Sequence, residues 1–239
     1  GLLGANGANY KALEFCGDGV ATLSVEERMT ITNMVIELGG KCGLMPCDDT
    51  LREWLHGRVE GEIEGVAADD DAVYCQTVEV DLDKLCPQVA KPHKVDNVSP
   101  VAEVEGTPVQ HAIIGTCTNG RIEDLEVAAR ILDGKKIAHG MTLTISPASK
   151  AVYIEAIHRG YVETFLRAGA TIAIPGCSGC SGGAYVGIPA DGEAVITTAN
   201  RNFKGRLGNA NSFLYLASPA TVAASALTGC IEDSRNYVR

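Results

Sequence analysis

The chain has 239 residues, 46% of them apolar, which is enough for one large domain or two small ones around a substantial core. Its net charge of −10 argues against nucleic acid or an anionic membrane as a partner, and an anionic substrate would need a local basic pocket. No apolar run approaches the ~18 residues of a membrane-spanning helix, and nine unevenly spaced cysteines read as a reducing compartment, cytoplasm or an organelle matrix, with some thiols buried and a few binding metal.

The first nine residues have no initiator Met and no lead-in strand, and read as the middle of something longer. Residues 10–15 fit a short strand or a short helix. Glu14 lies there between Leu13 and Phe15, either a carboxylate held for a purpose or a side chain pointing outward from an edge. Ser24-Val-Glu-Glu27 is a capping-box pattern that opens a helix through about residue 38, with Met29, Ile31, Met34, Val35 and Leu38 on its apolar face; Gly39-Gly40 ends it. Residues 44–47 suggest a strand or loop, and 49–57 a short helix containing Trp54. Asp69-Asp-Asp71 reads as a solvated loop. Residues 73–82 alternate as a strand does, and 86–108, with several prolines, read as a connection between domains.

From His111 onward strands and helices alternate. Strands are expected at 111–115, 141–146, 170–174 and 194–198. Helices are expected at 122–132, 149–159 and 161–168, the last two broken at Gly160, and in a final helix that Ser218-Pro219 opens and Gly229 closes. Such alternation implies a parallel sheet. Cys117 then follows the first of these strands, the glycine-rich loop Pro175-Gly-Cys-Ser-Gly-Cys-Ser-Gly-Gly183 follows the third, and Asn200-Arg-Asn-Phe-Lys-Gly-Arg206 follows the fourth. All three leave the carboxyl ends of parallel strands, where open α/β sheets bind ligands.

Cys177 and Cys180 form a C-x-x-C pair, and with Cys117 they make three thiols for one crevice. The residues alone leave three readings open: an iron–sulfur cluster, zinc, or redox or inert thiols. With three thiolates, a [4Fe–4S] cluster keeps one iron open to act as a Lewis acid, which suits the loss of hydroxide from a 2-hydroxy acid. Arg201 and Arg206 could hold the carboxylates of such a substrate bidentately, or lie in a polar surface loop; Arg121 is a third candidate.

Gly115-Thr-Cys-Thr-Asn-Gly-Arg-Ile-Glu-Asp-Leu125, the C-x-x-C loop, Asn200-Arg-Asn-Phe-Lys-Gly-Arg206 and Leu216-Ala-Ser-Pro219, in this order, resemble the aconitase superfamily in its isopropylmalate isomerase and homoaconitase branch. The resemblance includes Tyr10-Lys-Ala-Leu-Glu-Phe15 and residues 29–39. It implies two α/β/α layered domains, 1–105 and 106–239, with parallel-rich sheets and helices on both faces. It implies a [4Fe–4S] cluster on Cys117, Cys177 and Cys180, Glu14 as the catalytic group beside the leaving oxygen, Arg201 and Arg206 on substrate carboxylates, and Asn200 beside the cluster. The implied chemistry is dehydration and rehydration of a hydroxy-carboxylate, most of all 2-isopropylmalate to 3-isopropylmalate, with homocitrate-type chemistry as the alternative. A small-subunit partner carrying the swivelling domain would supply a catalytic serine. The resemblance also implies an N-terminal region before Gly1, so that this chain would be the C-terminal part of a large subunit, inactive alone; a non-catalytic metal-binding fragment is the reading from a different class. The usual loop is Cys-Gly-Pro-Cys, and here it is Cys177-Ser-Gly-Cys180.

Overall fold

The computed structural model describes residues 1–180 and 186–237. The chain forms two compact units, one of Asn6–Leu85 and one of Gly1–Ala5 with Cys86–Arg239. The division falls at Leu85 rather than at 105, because the stretch after Cys86 contributes strands to the large sheet.

In the smaller unit, β1 (Ala12–Glu14) pairs in parallel with β2 (Cys42–Leu44), so residues 10–15 include a strand. The one-turn α1 (Asp18–Ala21) precedes α2 (Val25–Met34). The capping box of α2 is complete: Ser24 Oγ accepts from the Glu27 N–H and the Ser24 N–H donates to Glu27 Oε2. A 3₁₀ turn, Val35–Leu38, continues the helix to Gly39, which takes the left-handed conformation (φ +78°). Arg28, 4% exposed, forks onto Asp48 with two 2.7 Å hydrogen bonds, and Asp48 caps α3 (Asp49–Leu55). Trp54 on α3 donates to Glu26 at 2.9 Å. The Arg28 guanidinium lowers the Asp48 carboxyl to about 2. Residues 73–82 are not a strand. They run exposed with no neighbouring strand among the described residues, so the backbone groups of that alternating sequence have nothing to pair with.

The larger unit is built on a seven-stranded sheet. Its strands are β3 (Gln88–Ala90), β4 (Val98–Pro100), β5 (His111–Gly115), β6 (Thr142–Ser146), β7 (Thr171–Ile172), β8 (Ala194–Thr197) and β9 (Phe213–Leu216), in the order β4-β3-β9-β8-β5-β6-β7. From β9 to β7 every pairing is parallel; β3 and β4 add an antiparallel edge. The helices are α4 (Thr116–Asn119), α5 (Ile122–Leu132), α6 (Lys150–His158), α7 (Tyr161–Ala168) and α8 (Pro219–Thr228). Val and Ile supply the buried strand positions, as β-branched residues do in a sheet covered on both sides.

Alternation along β5 sorts the core. Ala112 and Ile114, with Leu143, Ile145 and Ile196, face the buried side chains of α5, α6, α7 and α8, including Phe165 and Leu125. Ile113, Val195 and Leu214 face a smaller cluster with Leu207. Among the described residues the helices of this unit therefore gather on one face. The chain runs outward from β5 through β6 to β7, then returns to the other side of β5 for β8 and β9. Right-handed crossovers put those later connections on the second face, where the described residues between β7 and β8 and between β8 and β9 are loop rather than helix. The reversal opens a crevice at the carboxyl ends of β5 and β8. No described helix is long and apolar enough to cross a membrane.

Candidate metal centre

The crevice collects its residues from strand ends. At the end of β5 the backbone turns through Gly115 at φ +127°, and a Cβ there would lie 2.0 Å from the Ser146 carbonyl of β6, so only glycine fits. Thr116 follows at φ +75° while buried, a costly conformation for a β-branched residue. Gly115 is tied to the end of β8: its N–H donates to Thr198 Oγ1 (2.8 Å), and Asn119 Nδ2 donates to the Thr198 carbonyl (2.8 Å). This strained and pinned turn presents Cys117 outward on the one-turn α4. Asn200, past the end of β8, donates to Thr118 Oγ1 at 3.1 Å, so it stands beside the Cys117 turn.

The second arm is the loop after β7. Its residues Ser181, Gly182 and Gly183 lie outside the described residues, but both cysteines lie within them. The Cys180 N–H donates to the Cys177 carbonyl (3.0 Å), which closes a tight turn between the two cysteines. Cys177 Sγ stands 4.0 Å from Cys117 Sγ, across 60 residues of chain. Arg206 Nη2 donates to Cys180 Sγ at 2.8 Å, with the Phe203 ring 5.4 Å from its guanidinium carbon. The neighbouring Cys117 thiol pushes the Cys177 thiol above its ordinary range, with desolvation and Cys180 adding to the shift and Arg206 opposing it.

Cys117, Cys177, Cys180 and Arg206 are therefore brought together, with Asn200 at their edge. Arg201 is exposed on the same loop as Arg206. Arg121 stands at the start of α5, where its backbone N–H donates to Asp124. Glu14 belongs to the other unit, at the end of β1, where it accepts a 2.6 Å hydrogen bond from the Tyr74 phenol; that carboxylate raises the tyrosine pKa. Sequence reasoning missed Tyr74, which sits in the stretch read as a strand, and it missed the hydroxyls of Ser146 and Ser178, which meet at 2.6 Å beneath the cysteine loop.

None of the nine cysteines is in a disulfide and none is fully buried, contrary to the expectation that some pack as core. The described residues hold no three His, Cys, Asp or Glu side chains closed round a single ion. What the crevice offers is three sulfurs from two strand ends, glycine backbone that lets a bulky group approach, and a guanidinium on one sulfur. That donor set fits a thiolate-held iron–sulfur cluster, whose negative charge calls for such neighbours.

This chain belongs to the aconitase family (aconitate hydratase), which matches residues 1–229. Within that family it is 51% identical, over its whole length, to a 3-isopropylmalate dehydratase large subunit 2 of Archaeoglobus fulgidus, covering 57% of that protein. It is 52% identical over 98% of its length to a probable methanogen homoaconitase large subunit of Methanosarcina mazei (59% covered), and 46% identical over 97% to a 2,3-dimethylmalate dehydratase large subunit of Eubacterium barkeri (55% covered). The chain thus spans a little over half the length of these relatives.

Proposed function

We propose that this chain is the cluster-bearing part of the large subunit of an iron–sulfur hydro-lyase. It isomerises a 2-hydroxy di- or tricarboxylate by dehydration and rehydration, with 2-isopropylmalate to 3-isopropylmalate as the favoured reaction. The observation that carries the reading is the meeting of Cys117, Cys177 and Cys180 with Arg206 at one crevice. Those three thiolates would hold a [4Fe–4S] cluster, which when bound supplies a Lewis acid for the departure of hydroxide.

The remaining work falls to side chains. Glu14 would handle the proton of the departing hydroxyl, and Tyr74 donates to its Oε2. Arg201 and Arg206 bind the substrate carboxylates. A guanidinium carries five N–H donors and Arg206 spends one on Cys180, so it can span sulfur and carboxylate together. Asn200 fixes the edge of the crevice. A small-subunit partner, in keeping with the relatives named large subunits, would complete the pocket and supply the base opposite Glu14. A reducing compartment suits nine unpaired thiols.

The test is iron loading. Cys117→Ser, Cys177→Ser and Cys180→Ser should each abolish iron uptake in anaerobic reconstitution, while Ser at Cys16, Cys42, Cys47, Cys75, Cys86 or Cys230 should leave it intact. Iron retained in two of the first three variants would overturn the assignment. The 52% identity to the homoaconitase relative favours a second substrate, homocitrate. A substrate panel run with the candidate small subunit present separates the two.

A further inference from the structure

Between Cys177 and Cys180 the sequence supplies only Ser178 and Gly179, with no proline to fix the backbone. Something else must hold the two thiols in place. Ser178 Oγ donates to the Ile174 carbonyl at 2.9 Å and lies 2.6 Å from Ser146 Oγ. Each hydroxyl has one proton. With the Ser178 proton spent on Ile174, the Ser146 proton goes to Ser178, and the Gly176 carbonyl 3.4 Å from Ser146 Oγ is a poorer alternative. Ser146 is fully buried at the carboxyl end of β6, so this short relay anchors the loop to the sheet. Gly179 adds a second contact with the sheet. A Cβ at 179 would meet Ile113 Cγ2 at 2.8 Å and Thr116 Cγ2 at 3.5 Å, and the loop rests on the end of β5 because no side chain intervenes.

We propose that Ser146 and Ser178 are the positioning residues of the cysteine loop: their hydroxyl pair, with Gly179 seated on β5, sets where Cys177 and Cys180 present their sulfurs. The pair acts through the loop and touches no substrate. The positioning stands on the contacts alone; its use in holding a cluster rests on the function proposed above.

The experiment is thiol alkylation of the metal-free 239-residue chain by iodoacetamide, read residue by residue by mass spectrometry. Ser178→Ala should speed labelling of Cys180 by about two- to ten-fold, the range that one net hydrogen bond supplies. Ser146→Ala should speed it less, because Ser178 keeps its bond to Ile174, and the double variant should label no faster than Ser178→Ala, which already removes the shared contact. Cys230, far along the chain, should label at an unchanged rate, which separates a loosened loop from a loosened protein. An unchanged Cys180 rate in Ser178→Ala, or a double variant whose effects multiply, overturns the proposal. Gly179→Ala should also speed Cys180 labelling, by lifting the loop from Ile113; an unchanged rate there removes the seat from the account. After reconstitution, the cluster absorbance of Ser178→Ala should bleach in air faster than that of the parent chain, and equal rates would end the link to cluster retention. A parent chain that takes up no iron defeats the proposed function and leaves the labelling result standing.

Discussion

The two units are stabilised by different means. The larger unit buries Phe165, Leu125, Leu132, Ile114, Ile145 and Ile196 between its sheet and helices. Among the described residues of the smaller unit, the buried apolar side chains are only Ala8, Val25 and Val35, and a buried arginine sits among them. Its order comes from polar contacts: the Arg28–Asp48 fork, the Ser24–Glu27 capping box and the Trp54–Glu26 bond. An apolar core is insensitive to pH and forgiving of surface charge, whereas a guanidinium taken out of water is stable only while every donor has its partner. Cys117, Cys177 and Cys180 are carried on the apolar scaffold, and Glu14 on the polar one.

Trp54 is the chain's one tryptophan and lies in the smaller unit, so its fluorescence reports that unit separately from the far-ultraviolet signal of the large sheet. Phe165→Ala should have the largest effect, about 3–5 kcal/mol of destabilisation in the circular-dichroism transition, with the Trp54 transition left where it was. Coincident shifts of both signals would break the comparison, since the units would then unfold as one. Arg28→Met should cost about 3 kcal/mol, because it strands Asp48 in a partly buried site, and should move the Trp54 transition instead.

Acid sharpens the same contrast. The folded Asp48 pKa, about 2, lies below its ordinary value of 3.8. Its contribution is therefore fully present above about pH 4 and is lost as pH falls through the folded value. The Trp54 transition should weaken between about pH 4 and 2 in the parent chain, and Asp48→Asn should flatten that dependence. An Asp48→Asn variant with the parent's acid profile would assign the acid sensitivity elsewhere. Ser24→Ala is the smallest change, about 1 kcal/mol for a lost cap, and should again appear in the Trp54 signal alone.

Elements with a local signature were legible in the sequence. The strand 111–115 and the helix 122–132 fall where periodicity placed them, and Ser218-Pro219 opens α8 as a cap with proline at the first turn should. Elements whose existence depends on a neighbour were not. β3 and β4 are three residues each and form only because β9 offers an edge, while residues 73–82 carry a strand's pattern with no edge to join. The site divides in the same way. Three cysteines at strand ends can be read from spacing, but Tyr74 on Glu14 spans 60 residues and Ser146 on Ser178 spans 32, and hydroxyls carry no periodic signal.

The strand order also bears on when this crevice can exist. Cys117 leaves β5 and the C-x-x-C loop leaves β7, with β6 between them. The two arms meet only after α5, β6, α6, α7 and β7 have all docked in register, and β8 must then insert on the far side of β5 before Thr198 can brace Gly115. Parallel pairings of this kind form late, because long loops must close before any contact rewards them. The three-thiol set therefore depends on the whole run from β5 to β8 being in place: without it, the Cys177–Cys180 turn and Cys117 are separate donors.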